Sequence, residues 1–138
     1  MIGEYRHTID NKGRIFIPAK IREEIGKSFF LTISSEQCLC LYSAEEWQDF
    51  SKRSSSMSIS MQNKMRPFFA HASKCELDSQ GRIIIPANLR KYASLSKDII
   101  IIGNNNHAEI WDSKTWDSII KNEINTSYLC NSLEDISS

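Results

Sequence analysis

An α+β fold, mainly β, built from two tandem copies of one small unit is what this 138-residue sequence predicts. Three observations point to it. First, Asp10-Asn11-Lys12-Gly13-Arg14-Ile15-Phe16-Ile17-Pro18-Ala19, followed by Lys20-Ile21-Arg22, returns as Asp78-Ser79-Gln80-Gly81-Arg82-Ile83-Ile84-Ile85-Pro86-Ala87, followed by Asn88-Leu89-Arg90. An internal repeat of this kind sets the architecture before any local pattern does. Second, short β-branched and aromatic runs flank turn residues in both halves, which is the signature of strands. Third, each half closes on a tryptophan that follows a helix-capping residue by a few positions.

Taken in order, Glu4 to Ile9 alternates weakly and stops at Asp10, and Asn11-Lys12-Gly13 supplies a turn able to take positive φ. With Arg14 to Ile17 this predicts a hairpin closed by a three-residue turn. Pro18 has no N–H to donate and a φ suited to a first helical turn, so it opens a short helix that Gly26 ends. So short a helix depends on packing Ile21 and Ile25 against the hairpin. Phe29 to Ile33 and Gln37 to Tyr42 form two further strands around Ser34-Ser35-Glu36. Ser43 then caps a helix, Glu46 is spaced to reach back as the other half of a capping box, and Tyr42 is spaced to staple onto Trp47. The second copy repeats the series with one inserted residue, Asp112 as the cap and Trp111 stapling onto Trp116. Between the copies, Ser51 to Arg66 predicts a connecting helix whose Met57, Met61 and Met65 cover the neighbouring core. Asn125 to Ser138 has no clear period and is expected to fray.

Composition narrows the function. A hydrophobic share of 41% and a charged share of 25% fit a folded globular chain and argue against disorder. Lys plus Arg equals Asp plus Glu, so the net charge is zero and any nucleic-acid footprint must be local. Cys38, Cys40, Cys75 and Cys130 form no C-x-x-C pair and His7, His71 and His107 have no ligand spacing, so neither metal nor cofactor is expected. Glu4 and Arg6 precede any apolar run and Ile99 to Ile102 is too short to span a bilayer. A cytoplasmic protein with reduced thiols and no membrane partner is the expectation. Catalysis is not expected either: no nucleophile stands in an activating context, and Asp10 and Asp78 sit beside arginines that lower a carboxyl pKa, the wrong direction for general acid work.

The repeated Asp-x-x-Gly-Arg has two readings. Structurally, the carboxylate can close an Asx-turn or pair with the guanidinium while glycine serves the backbone. An exposed pair is worth only ~0–1 kcal/mol, a weak reason to spell the turn twice with these charges. Functionally, Lys12, Arg14, Lys20, Arg22 and Lys27 outnumber Glu23 and Glu24 in a basic patch. A two-stranded ribbon fits the major groove, where arginine pairs bidentately with guanine. Arg14 and Arg82 are then candidates for base contact, with Asp10 and Asp78 orienting them. Lys12, Lys20, Arg22, Lys74, Arg90 and Lys91 would serve phosphates. Gln80 replaces Lys12 in the second turn, so the first copy should contribute more electrostatically.

"D-N-K-G-R-I-F-I-P-A-K-I-R" and "D-S-Q-G-R-I-I-I-P-A-N-L-R" resemble the swapped-hairpin signature of AbrB-like (SpoVT-AbrB) transition-state regulators. Two copies in one chain, the opening Ile2-Gly3-Glu4-Tyr5, Cys75-Glu76-Leu77-Asp78 and Glu109-Ile110-Trp111 resemble the MraZ family of bacterial transcription regulators, from about Ile2 to Trp116. The resemblance implies two tandem AbrB-like swapped-hairpin β-barrel repeats, pseudo-twofold within the chain. It divides the chain into a first AbrB-like domain at 4–47, a helical linker at 48–72, a second domain at 73–116, and a C-terminal helix and tail at 117–138. It also implies a ring-shaped homo-oligomer, associated with the nucleoid, that binds double-stranded DNA at repeated G-rich boxes upstream of the division and cell-wall gene cluster. The family's Asp-x-x-x-Arg signature falls on Asp10 with Arg14 and on Asp78 with Arg82. The family's charged C-terminal continuation has no clear counterpart in Asn125 to Ser138. An AbrB-like antitoxin or protein-interaction module is the alternative, although such antitoxins usually carry one hairpin copy and a disordered tail.

Overall fold

The element order repeats with the sequence. The first copy runs β1 (Glu4–Thr8), β2 (Arg14–Phe16), α1 (Ala19–Ile25), β3 (Ser28–Ile33), β4 (Leu39–Ser43) and α2 (Ala44–Ser55). After α3 (Ile59–Lys64) and α4 (Arg66–Ala70), the second runs β5 (Ser73–Glu76), β6 (Arg82–Ile84), α5 (Ala87–Tyr92), β7 (Asp98–Asn104), β8 (His107–Asp112) and α6 (Ser113–Glu123), with α7 (Thr126–Ser137) last. This computed structural model describes residues 1–124 and 126–137.

The two copies interleave. Six antiparallel strands form one sheet in the order β1-β7-β8-β4-β3-β5, and β2 pairs with β6 in a separate ribbon. Each copy's first strand therefore lies against the other copy's hairpin, with Tyr5 opposite Ile101 and Phe29 opposite Cys75. The local hairpin expected from the sequence is reduced to its turn, where Asp10 N–H reaches Arg14 O at 3.1 Å and Gly13 N–H reaches Asp10 O at 3.0 Å. Beyond that turn the arms separate to their partners in the other copy. The expected barrel is likewise not closed: β1 and β5 end the sheet at opposite edges, because β2 and β6 leave it to pair with each other.

One core serves both copies. Ile15, Ile17, Ile21 and Ile25 pack with Ile83, Ile85, Leu89 and Ala93 against the inner face of the sheet. α1 starts after Pro18 and ends at Gly26, whose φ of 85° suits a residue without Cβ. α2 is capped by Ser43, whose side chain accepts from Glu46 N–H. The box is not completed, since Glu46 Oε2 instead accepts from Asn106 Nδ2 at 3.3 Å. Tyr42 and Trp47 meet at 6.1 Å, and Trp111 and Trp116 at 5.8 Å, as the staples require.

Two helical expectations change. The connecting segment breaks at Ser56 to Ser58 because Ser58 caps a new helix, so Met57 falls between α2 and α3 and no continuous methionine stripe forms. Met57 and Met65 border a hollow with Phe50 and Arg53 instead, and Met57 and Met61 both remain exposed. The C-terminal segment is helical rather than frayed across α7, where Leu129, Leu133 and Ile136 recur at helical spacing and face solvent; Asn125 and Ser138 lie outside the described residues. Among the described residues no helix is long and apolar enough to cross a membrane.

Candidate nucleic-acid interface

The β2–β6 ribbon carries both repeated arginines. Its register sets Arg14 opposite Ile84, Ile15 opposite Ile83 and Phe16 opposite Arg82. Strand alternation turns Ile15 and Ile83 into the core and leaves Arg14, Phe16, Arg82 and Ile84 on the outer face. The arginines occupy diagonal corners, and diagonal neighbours in such a ribbon are about 7–8 Å apart. Phe16 and Ile84, 43% and 61% exposed, fill the other corners, so two apolar side chains stand in solvent between two cations. What the sequence presents as two separate turns is one composite surface.

Each aspartate builds its turn in the same way. Asp10 Oδ1 accepts from Lys12 N–H and Arg14 N–H, both at 2.9 Å, and Oδ2 accepts from Arg14 Nε at 2.7 Å. Asp78 Oδ1 accepts from Gln80 N–H at 2.8 Å and Arg82 N–H at 2.9 Å, and Oδ2 from Arg82 Nε at 3.0 Å. Both the Asx-turn and the ion pair are therefore present. With side chains roughly one-third exposed the pairs add little stability; they fix the direction of the guanidinium. Among the described residues no hydrogen bond engages the Nη groups of Arg14 or Arg82.

These bonds hold both carboxyls below the ordinary aspartate range, the arginine backbone N–H being the largest cause in each turn. A depressed folded-state pKa contributes order above the unfolded value and loses it as pH falls through the folded one. The amide resonances of Arg14 and Arg82 should accordingly titrate in acid with inflections below that of a free aspartate. Inflections at or above the ordinary value would contradict the turn geometry.

The family model described as "MraZ protein, putative antitoxin-like" matches residues 1–66 and 68–129. The chain belongs to the MraZ family. Among its curated relatives, "Transcriptional regulator MraZ" of Thermoanaerobacter sp. (strain X514) is 41% identical over 99% of this chain and 98% of its own length. Proteins of the same name from Halothermothrix orenii and Alkaliphilus oremlandii are each 48% identical, over 83% and 84% of this chain and 82% and 83% of theirs.

In this MraZ-family chain the remaining basic candidates divide into two groups. Lys12, Lys20, Lys74 and Lys91 are exposed, and Lys74 shares a hollow of about 550 Å³ with Arg14, Asp78 and Arg82. Arg22 and Arg90 are half-buried and cross between copies. The Arg90 guanidinium lies against Gly13 and donates to Ile85 O at 2.9 Å, while that of Arg22 lies against Gly81. Gly13 and Gly81 have φ of 81° and 77°, and each is covered by an arginine from the opposite repeat. Sequence reasoning missed this buttressing and also Phe16 and Ile84. The outward phase of Phe16 was readable from strand alternation; the pairing that sets it beside Arg82 was not.

Proposed function

We propose that this protein is a sequence-specific DNA-binding transcriptional regulator that reads repeated G-rich boxes upstream of the division and cell-wall gene cluster. Its Asp-x-x-x-Arg turns are presented many times over by a ring-shaped homo-oligomer at the nucleoid. The observation that carries the reading is the ribbon itself, with two arginines oriented by aspartates on one exposed face and their Nη groups without a hydrogen-bond partner among the described residues. That arrangement suits bidentate pairing with guanine O6 and N7 in the major groove. Membership in a family whose curated members are named transcriptional regulators supports it and argues against an enzyme.

Lys12, Lys20, Lys74 and Lys91 neutralise phosphates, while Arg22 and Arg90 hold the turns from beneath. One ribbon offers few base contacts, so affinity comes from multivalency: linked sites convert weak contacts into avidity when box spacing matches subunit spacing. Light scattering combined with titration of arrays of one to four boxes tests this reading. Affinity should climb steeply with box number, and each phosphate contact should add about −0.9 to the slope of log K against log salt. Lys12→Ala should weaken binding to every sequence and reduce the magnitude of that slope by about 1 for each engaged subunit. A salt-independent affinity would favour the antitoxin or protein-interaction alternative.

A further inference from the structure

On the sheet face opposite the main core, two short alternating motifs from different repeats meet. Cys38 immediately precedes β4, which opens with Leu39-Cys40, β8 carries His107-Ala108-Glu109, and the register sets Cys40 opposite Glu109. Side chains two apart share a face. The Sγ atoms of Cys38 and Cys40 and a carboxylate oxygen of Glu109 accordingly lie within 4.8 Å of one another, and all three residues are buried. His107 Nε2 stands 3.2 Å from Glu109 Oε2. We infer that Cys38, Cys40, His107 and Glu109 form a binding site for a thiophilic divalent cation of the Zn²⁺ class, which clamps the first repeat to the second.

The donor set fits such an ion. Two thiolates, an imidazole and a carboxylate are ligands zinc takes at about 2.0–2.3 Å in a tetrahedron. Tetrahedral thiolates at that Zn–S length sit ~3.8 Å apart, a spacing the three-donor set of Cys38, Cys40 and Glu109 reaches with small side-chain shifts, and His107, 3.2 Å from Glu109 Oε2 but outside that set, turns in as the fourth ligand. The outer contacts already orient the ligands as metal sites require. His107 Nδ1 is 3.0 Å from Asn106 Oδ1, and the Asn106 amide is fixed by its Nδ2 donating to Glu46 Oε2. His107 Nδ1–H therefore donates outward, which turns Nε2 toward Glu109. Nε2 and Oε2 are then facing electron-pair donors that need a proton or a cation between them. Glu109 is held by Trp111 Nε1 at 3.0 Å and Asn104 Nδ2 at 3.2 Å, and Tyr42 stacks on the His107 ring at 5.3 Å. A hollow of about 260 Å³ bordered by Cys40, Tyr42, Phe68, His107 and Glu109 supplies an entry path. Neither motif looks like a zinc signature alone, because each provides half of the ligands and only strand pairing unites them.

The test uses the reduced, metal-stripped full-length protein and Co²⁺ as a spectroscopic probe. One Co²⁺ per chain should give thiolate charge-transfer and intense tetrahedral d–d bands, which Zn²⁺ then abolishes by displacement. Both band sets should vanish in Cys38→Ser/Cys40→Ser and persist in Cys75→Ser, and Asn106→Ala should weaken binding about tenfold. A measurement free of substitutions guards against a misfolded variant: Zn²⁺ should slow alkylation of Cys38 and Cys40 by mass spectrometry while exposed Cys130 reacts unchanged. Absence of tetrahedral bands, bands that survive the double variant, or equal alkylation with and without Zn²⁺ would each overturn the assignment.

Discussion

Replacing Arg14 and Arg82 together by alanine should reduce binding to a G-rich box array to the level of unrelated DNA, with assembly and secondary structure unchanged. Each bidentate arginine–guanine contact discriminates by ~1–3 kcal/mol, or about 5- to 150-fold, and the double variant loses both on every subunit. Multivalency magnifies the deficit because each ribbon's loss is repeated along the array. Fold integrity should survive, since both side chains lie on the outer ribbon face and their ion pairs are partly solvated. Retained specific affinity in a binding titration, or a smaller species by light scattering, would refute the assignment. Single variants should be intermediate and close to each other, because the register places the two arginines in equivalent positions.

The second large effect concerns Gly13 and Gly81. Alanine at either position adds a Cβ to a residue at φ near 80°, a left-handed conformation costing L-residues roughly 1–2 kcal/mol. The new methyl at Gly13 also meets Arg90 Nη1, and the one at Gly81 meets Arg22 Nη1. A flexible guanidinium can move away, but Arg90 then gives up its bond to Ile85 O, at a further cost of about 1 kcal/mol. Gly13→Ala should thus destabilise the fold by roughly 2–3 kcal/mol in chemical denaturation, and Gly81→Ala, where the displaced Arg22 has no such bond among the described residues to give up, by roughly 1–2 kcal/mol. Binding should fall further than stability alone implies, because the turn that aims the arginine is displaced. A loss at Gly13 no larger than that at Gly81 would show that Arg90 does not buttress the turn, and a change below about 0.5 kcal/mol at either would contradict the left-handed turn itself.

How much of this was readable from residues alone depended on range. The turns, the proline-opened helices, both caps and both tryptophan staples are written in consecutive residues, and each forms as its local chemistry dictates. Strand pairing is not local. Nothing within Glu4 to Ile17 says that Tyr5 will face Ile101 or that Phe16 will face Arg82: local pattern alone gives two independent hairpins, and only the resemblance to swapped-hairpin proteins pointed to the interleaved pair that forms. Glu46 left its capping box for the same reason, since Asn106 arrives from the other repeat. The Met57 break turned on Ser58, whose ability to cap a new helix outweighed the apolar period around it. In the interface, the aspartate–arginine geometry followed from the motif, whereas the crossing of Arg22 and Arg90 beneath the opposite glycines required the fold.

The most direct test of the central claim removes single atoms from the DNA. Guanines of a box array are replaced by 7-deazaguanine, which deletes the N7 acceptor and leaves Watson–Crick pairing intact, and affinity is measured for the wild type and for Arg14→Ala/Arg82→Ala. If the ribbon arginines read guanine, the substitution weakens wild-type binding by at least fivefold at the contacted positions and leaves the variant's residual binding unchanged. Equal losses in both proteins, or no loss in the wild type, would contradict recognition by Arg14 and Arg82.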